Sequence, residues 1–202
     1  MSQPGARQDL LDRAIAQVAT SGFSDLSLRS LAAALGTSHR MLIHYFGSKE
    51  GLWVEIVRAV ERRQREMLAE MLPDPDAPVG EAMRAWWKHI SDPSLWPNER
   101  LFFEVYGQAL QRRPHTTELL DGIVDSWVEP VAELSIARGF PRPVALAHAR
   151  LGIAVTRGLL LDLLATGHVA AVDAAMEAFI DVYETWLGAL PAATANAPRP
   201  VP

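Results

Sequence analysis

The chain contains no cysteine, which excludes disulfide frameworks, zinc ribbons, redox dithiols and thiol nucleophiles. Strand signals are lacking too: no run alternates Val, Ile and Thr with polar residues between hairpin turns. Proline is scarce in the first third, where only Pro4 of the 14 prolines precedes position 73. Long hydrophobic runs are missing. The most apolar stretch, Gly152 to Ala171, is interrupted by Arg157 and Asp162. It falls short of the roughly 20 near-continuous apolar residues of a membrane span and reads as a buried helix. Met1 to Asp9 has no apolar h-region, so the expected location is cytoplasmic, with no membrane partner. Catalytic signatures are lacking as well: there is no His-Glu-x-x-His, Glu-x-x-His, Gly-x-Ser-x-Gly or phosphate loop, so no enzyme, metal or cofactor is expected. Positive charge is in deficit, with 19 basic against 24 acidic residues and a net charge of −5. That weighs against a polyanion partner, since nucleic-acid binding rests on Lys and Arg neutralising phosphates.

The distribution of charge alters that conclusion. Residues 1–52 hold five basic and four acidic groups, residues 53–72 hold four of each, and the remainder holds ten basic against sixteen acidic. The acidity therefore sits entirely in the C-terminal two thirds. The 202 residues, 49% of them hydrophobic, suit one or two globular domains. Charge and proline both change character near Pro73-Asp74-Pro75, which places a domain boundary there.

Apolar residues recur at helical spacing almost throughout, which predicts an all-α fold. Leu11, Ala14, Ile15 and Val18 mark a first helix, capped at its end by Gly22. Ser27 caps a short second helix with Leu28, Leu31, Ala32 and Leu35 inward, closed by Gly36. A third helix places Met41, Leu42, Tyr45 and Phe46 on one side, and Gly47 stops it. Ser48 then caps a long fourth helix to about Met71, spanning roughly 35 Å. Beyond Pro73 the pattern predicts helices near 77–91, 98–112, 116–138, 143–166 and 170–190, with Pro130 kinking the third of these. The resulting division is a head at 1–48, a connecting helix at 49–72, an all-helical ligand-binding and dimerisation domain at 73–190, and a disordered tail at 191–202.

Two short helices joined by a Gly-containing turn, with a third helix in front, form a helix-turn-helix unit. Its second helix carries Ser38, His39, Arg40 and His44, with Ile43 among them, where a recognition helix meets base edges. The segments Leu28-Arg29-Ser30-Leu31-Ala32-Ala33-Ala34-Leu35-Gly36-Thr37-Ser38 and Leu42-Ile43-His44-Tyr45-Phe46-Gly47-Ser48-Lys49-Glu50-Gly51-Leu52 resemble the DNA-binding domain of the TetR (tetracycline-repressor-like) family. The likeness runs in one gapless register from about Leu10 to Val60.

This resemblance implies a homodimeric repressor that binds a near-palindromic double-stranded operator and is released by a small-molecule effector. Carried over by position, Ser27, Arg29, Tyr45 and Lys49 meet phosphates, while Thr37, Ser38, His39, Arg40 and His44 face the groove. Arg40 suits bidentate guanine contact, and Ile43, where the family often has an aromatic, suits a thymine methyl. Gly51 departs from the acidic or polar residue common at the third position of the fourth helix, removing a capping-box partner.

For the effector, aromatics crowd the middle of the chain and suit a mostly apolar pocket with a few polar anchors. Met83, Trp87, Phe103, Tyr106 and Trp127 are the candidates, with His89 or Arg157 as polar handle. The same aromatics equally suit a filled core, and a protein partner or no effector at all is the alternative. The last two helices carry Leu146, Ile153, Leu160, Leu164, Met176, Phe179, Ile180 and Tyr183, enough apolar surface for a four-helix bundle with a second subunit.

Overall fold

The computed structural model describes residues 3–21, 27–71 and 78–188. Among these the regular structure is helical, with no strand. Its α-helices are α1 Gln3–Ser21, α2 Leu28–Ala34, α3 His39–Phe46, α4 Lys49–Met71, α5 Val79–Ile90, α6 Trp96–Leu110, α7 Asp125–Ala137, α8 Arg142–Thr166 and α9 Val169–Gly188, with 3-10 segments at Pro93–Leu95 and Thr117–Leu120. The expected cap at Gly22, the boundary at Pro73-Asp74-Pro75 and the tail at 191–202 lie outside the described residues.

The helices gather into two compact units that do not follow chain order. The first comprises Met1–Glu70 with His89–Val124. Its core draws Leu11, Ala14 and Val18 from α1, Leu31 and Leu35 from the α2 region, Leu42 and Phe46 from α3, and Leu52, Ile56 and Val57 from α4. Leu101 and Val105 of α6 join the same core, and α6 packs against α1. The α4 helix is buried on more than one stripe: Trp53 and Val54 are covered as well as Leu52 and Ile56. Further along, Gln64 Nε2 donates to Glu99 Oε1 on α6 at 2.5 Å, a pairing that lets two polar side chains lie within the interior.

The second unit comprises Met71–Lys88 with Asp125–Pro202, and here α8 packs against both α7 and α9. Trp87, Trp127, Val128, Ala132, Phe140, Ala145, Ala149, Leu160, Leu163, Met176, Ile180 and Tyr183 are buried. Ion pairs run along the outside. Arg142 reaches Glu129 and Glu133, Arg150 reaches Asp125, and Arg84 on α5 reaches Glu177 on α9.

Three expectations are corrected. Met41 does not share the inner side of α3 with Leu42 and Phe46: its side chain is 38% exposed. The segment 116–138 is not one helix, because a 3-10 turn at Thr117–Leu120 and a turn around Asp121-Gly122 precede α7, which then continues through Pro130. The apolar stretch 152–171 is not buried by its own chain. Along α8 the buried residues are Ala145, Ala149, Leu160 and Leu163, while Val144, Leu151 and Leu161 are exposed, as are Val169, Val182 and Trp186 of α9. By length and composition alone α8 could cross a membrane. It also carries Arg142, Arg150, Arg157 and Asp162.

Candidate nucleic-acid interface

The helix-turn-helix is fixed by serine caps. Ser27 Oγ accepts from the Ser30 amide at 3.1 Å and starts α2; Ser38 Oγ accepts from the Met41 amide at 3.2 Å and starts α3. Each hydroxyl that accepts in a cap keeps its own proton for donation. Between the two helices, Thr37 N–H closes onto the Ala32 carbonyl at 2.9 Å, and Arg13 of α1 donates to the Leu35 carbonyl at 2.6 Å, bracing the turn from behind.

Once α3 is anchored through Leu42 and Phe46, its outer side is decided by rotation alone. Successive residues turn by about 100°, which puts His44 opposite the midpoint of that anchor, with Arg40 and Met41 on either side. Burial agrees: His39, Arg40, Met41 and His44 are exposed, and Ile43 and Tyr45 at the flanks are half-buried. The Tyr45 ring is held edge-on by His44 and Phe46, at 5.1 and 6.4 Å between centroids. Ser27, Arg29 and Ser38 are exposed and Thr37 is half-buried.

The α3–α4 junction sets where Lys49 stands. Gly47 takes a φ of +76°, a conformation that a side chain disfavours, and its N–H caps α3 on the Ile43 carbonyl. Ser48 Oγ then accepts from the Gly51 amide at 2.9 Å, as expected of the α4 cap. A Cβ on Gly51 would stand 2.3 Å from the Phe46 carbonyl oxygen, so a close backbone approach requires glycine where a capping-box acid could have stood. The Lys49 ammonium lies 5.8 Å from the Trp53 ring centroid, a contact that steadies the charge without neutralising it.

Sequence reasoning missed Arg7. Its guanidinium pairs with Glu55 of α4 at 2.6 Å and covers the Phe46 ring at 5.2 Å, tying α1 to the end of α3. Met41 was missed as part of the outer face, because a methionine at helical spacing from Leu42 and Tyr45 resembles a core residue.

Residues 10–56 match the family described as bacterial regulatory proteins, TetR family. The chain is 23% identical to the HTH-type transcriptional repressor NicS of Pseudomonas putida over 156 residues, 73% of this chain and 72% of that protein. Among solved structures, a transcriptional regulator from Rhodococcus sp. Rha1 superposes with a TM-score of 0.73 at 18% identity, covering 92% of this chain and 99% of that one. The multidrug binding protein EbrR, complexed with imidazole, superposes with a TM-score of 0.61 at 27% identity, covering 94% and 93%. The chain carries a TetR-family DNA-binding domain over residues 10–56. It is a DNA-binding transcriptional regulator, and members of this family are transcription factors and not enzymes.

The candidate effector residues divide between the two units. His89, Phe103 and Tyr106 belong to the first, where Phe103 and Tyr106 pack on Phe102 with centroids at 5.2 and 5.4 Å. Met83, Trp87, Trp127 and Arg157 belong to the second. There Trp127 lies 5.7 Å from Trp86, and the Trp87 indole N–H donates to Asp173 at 2.7 Å. Trp87 and Trp127 are buried; the other five are half-buried.

Proposed function

We propose that the protein is a homodimeric, cytoplasmic repressor that reads a near-palindromic operator with α3 in the major groove. A small, largely apolar effector would release it. The observation that carries this reading is the outer face of α3: an anchor at Leu42 and Phe46 leaves Arg40 and His44 pointing away from the core, flanked by capped hydroxyls. Arg40 supplies a bidentate donor for guanine, worth about 1 to 3 kcal/mol of discrimination. His39, His44, Thr37 and Ser38 supply shorter polar contacts, and Ile43 an apolar one. Ser27, Arg29, Tyr45 and Lys49 surround this face and serve the phosphates, which position the head without reading sequence.

The effector reading rests on the buried and half-buried aromatics, with His89 or Arg157 as polar anchor. A ligand that favours a tilted α4 would draw the two recognition helices away from the roughly 34 Å spacing of one DNA turn. A coupling of about 1 to 3 kcal/mol would weaken operator binding about 5- to 150-fold.

Genomic pull-down, followed by titration of the recovered duplex at several salt concentrations, tests the interface. Arg40→Ala is expected to lose sequence discrimination, and Lys49→Ala to weaken all duplexes alike while lowering the salt slope by about one. Full affinity in both variants would refute the assigned face.

A further inference from the structure

The outer face of α3 carries one large side chain that offers neither a hydrogen-bond donor nor a charge. Met41 is 38% exposed, whereas Leu42 and Phe46 on the same helix are 1% and 8% exposed. At about 100° per residue, Met41 stands some 60° from His44 and Arg40 some 40° from it on the other side, so the three form one strip. The Ser38 cap holds this part of the helix in place, since the Met41 amide is itself the donor to Ser38 Oγ at 3.2 Å.

An isolated exposed apolar residue calls for no explanation on an ordinary surface. Here its neighbours are an arginine and a histidine on the face assigned to base edges, and such a face acts through what its side chains can touch. Methionine is unbranched, has three rotatable side-chain torsions and ends in a polarisable thioether and a methyl, so it adapts to an apolar surface at some distance from the backbone. In the major groove the apolar group offered by a base is the C5 methyl of thymine. Arg40 beside it matches guanine, which offers acceptors and no methyl.

We propose that Met41 is a specificity-determining residue, and that its side chain selects thymine in each half-site by packing on the C5 methyl. The proposal rests on α3 being the reading helix, and it moves one apolar base contact from the half-buried Ile43 to the exposed Met41.

The test uses a duplex selected from a random-sequence library by the wild-type protein. Thymidines in it are replaced by deoxyuridine one symmetric pair at a time, which removes only the methyl, and affinity is read by fluorescence anisotropy at fixed salt. One such pair is expected to weaken binding about 4-fold per half-site, or about 15-fold in all, the effect of one methyl leaving an apolar contact. In Met41→Ala that difference between thymine and uracil should vanish, and Met41→Leu should keep most of it. Unchanged circular dichroism of both variants would show that the fold is intact.

Uracil tolerated at every position would overturn the proposal, as would a thymine preference that survives in Met41→Ala and disappears in Ile43→Ala. The underlying reading fails differently: wild type then selects no sequence, or Arg40→Ala keeps full discrimination, and the Met41 proposal falls with it.

Discussion

Gly51 stands where a Cβ would meet the Phe46 carbonyl oxygen at 2.3 Å, and that oxygen is backbone, so it cannot rotate aside. The glycine therefore permits a tight turn between α3 and α4, and its amide still completes the Ser48 cap at 2.9 Å. Gly51→Ala would ordinarily favour a helix. In this case it should lower the unfolding free energy by about 1 to 3 kcal/mol in urea denaturation, because the junction must open to admit the methyl. A neutral or stabilising result would show that α3 and α4 can separate without cost. This position also shows why a motif reading is incomplete: the missing capping-box acid reads as a weakness, and the backbone approach that excludes it becomes visible only when the two helices are placed.

At the scale of elements, α4 is the member on which the first unit depends. Its lower half is sealed among apolar neighbours, and its upper half buries Glu61 and Gln64, the latter bonded to Glu99 of α6. Hydrogen bonds to charged groups contribute more than neutral ones, and a buried donor left without its acceptor costs about 1 to 3 kcal/mol. Glu99→Ala is expected to lose at least that much stability, while Glu99→Gln, which keeps an acceptor oxygen, should lose less. Equal losses in thermal or urea unfolding would show that the carboxylate charge matters more than the bond to Gln64. Outer ion pairs such as Arg7 with Glu55, whose side chains are about a third exposed, contribute roughly 0 to 1 kcal/mol each and serve mainly to orient α1.

At the scale of the whole molecule, the open face of α8 and α9 needs a cover. Val144, Leu151, Leu161, Val169, Val182 and Trp186 are all exposed on the chain alone. A second copy covers such a face by symmetry, whereas lipid does not suit a helix bearing three arginines and an aspartate through its length. Light scattering at micromolar protein is expected to return about twice the 22.2 kDa chain mass, and Leu161→Glu to shift it toward one chain by burying an unpaired charge. A wild-type mass of a single chain would refute the dimer. The charge split bears on this scale as well: residues 1–52 carry a surplus of one positive charge and residues 73–202 a deficit of six, so on the proposed reading the salt dependence of DNA binding is expected to come from the first segment.

The sequence by itself determined the all-helical fold, the serine caps at 27 and 48, and the TetR-like DNA-binding segment, because those depend on local spacing and on short-range hydrogen bonds. It also contains the turn dipeptide Asp121-Gly122, which divides 116–138 and which a reading by apolar periodicity passes over. Only the tertiary structure decided that α6 completes the core around α1 and α4, that Met41 faces outward, and that Gly51 makes room for a carbonyl. Each of these depends on contacts between residues distant in the chain or on the absolute rotation of a helix about its axis. A repeating pattern shows that a helix has an inner face, but when Met41, Leu42, Tyr45 and Phe46 could all serve, the neighbours that pack against it choose which of them lie there.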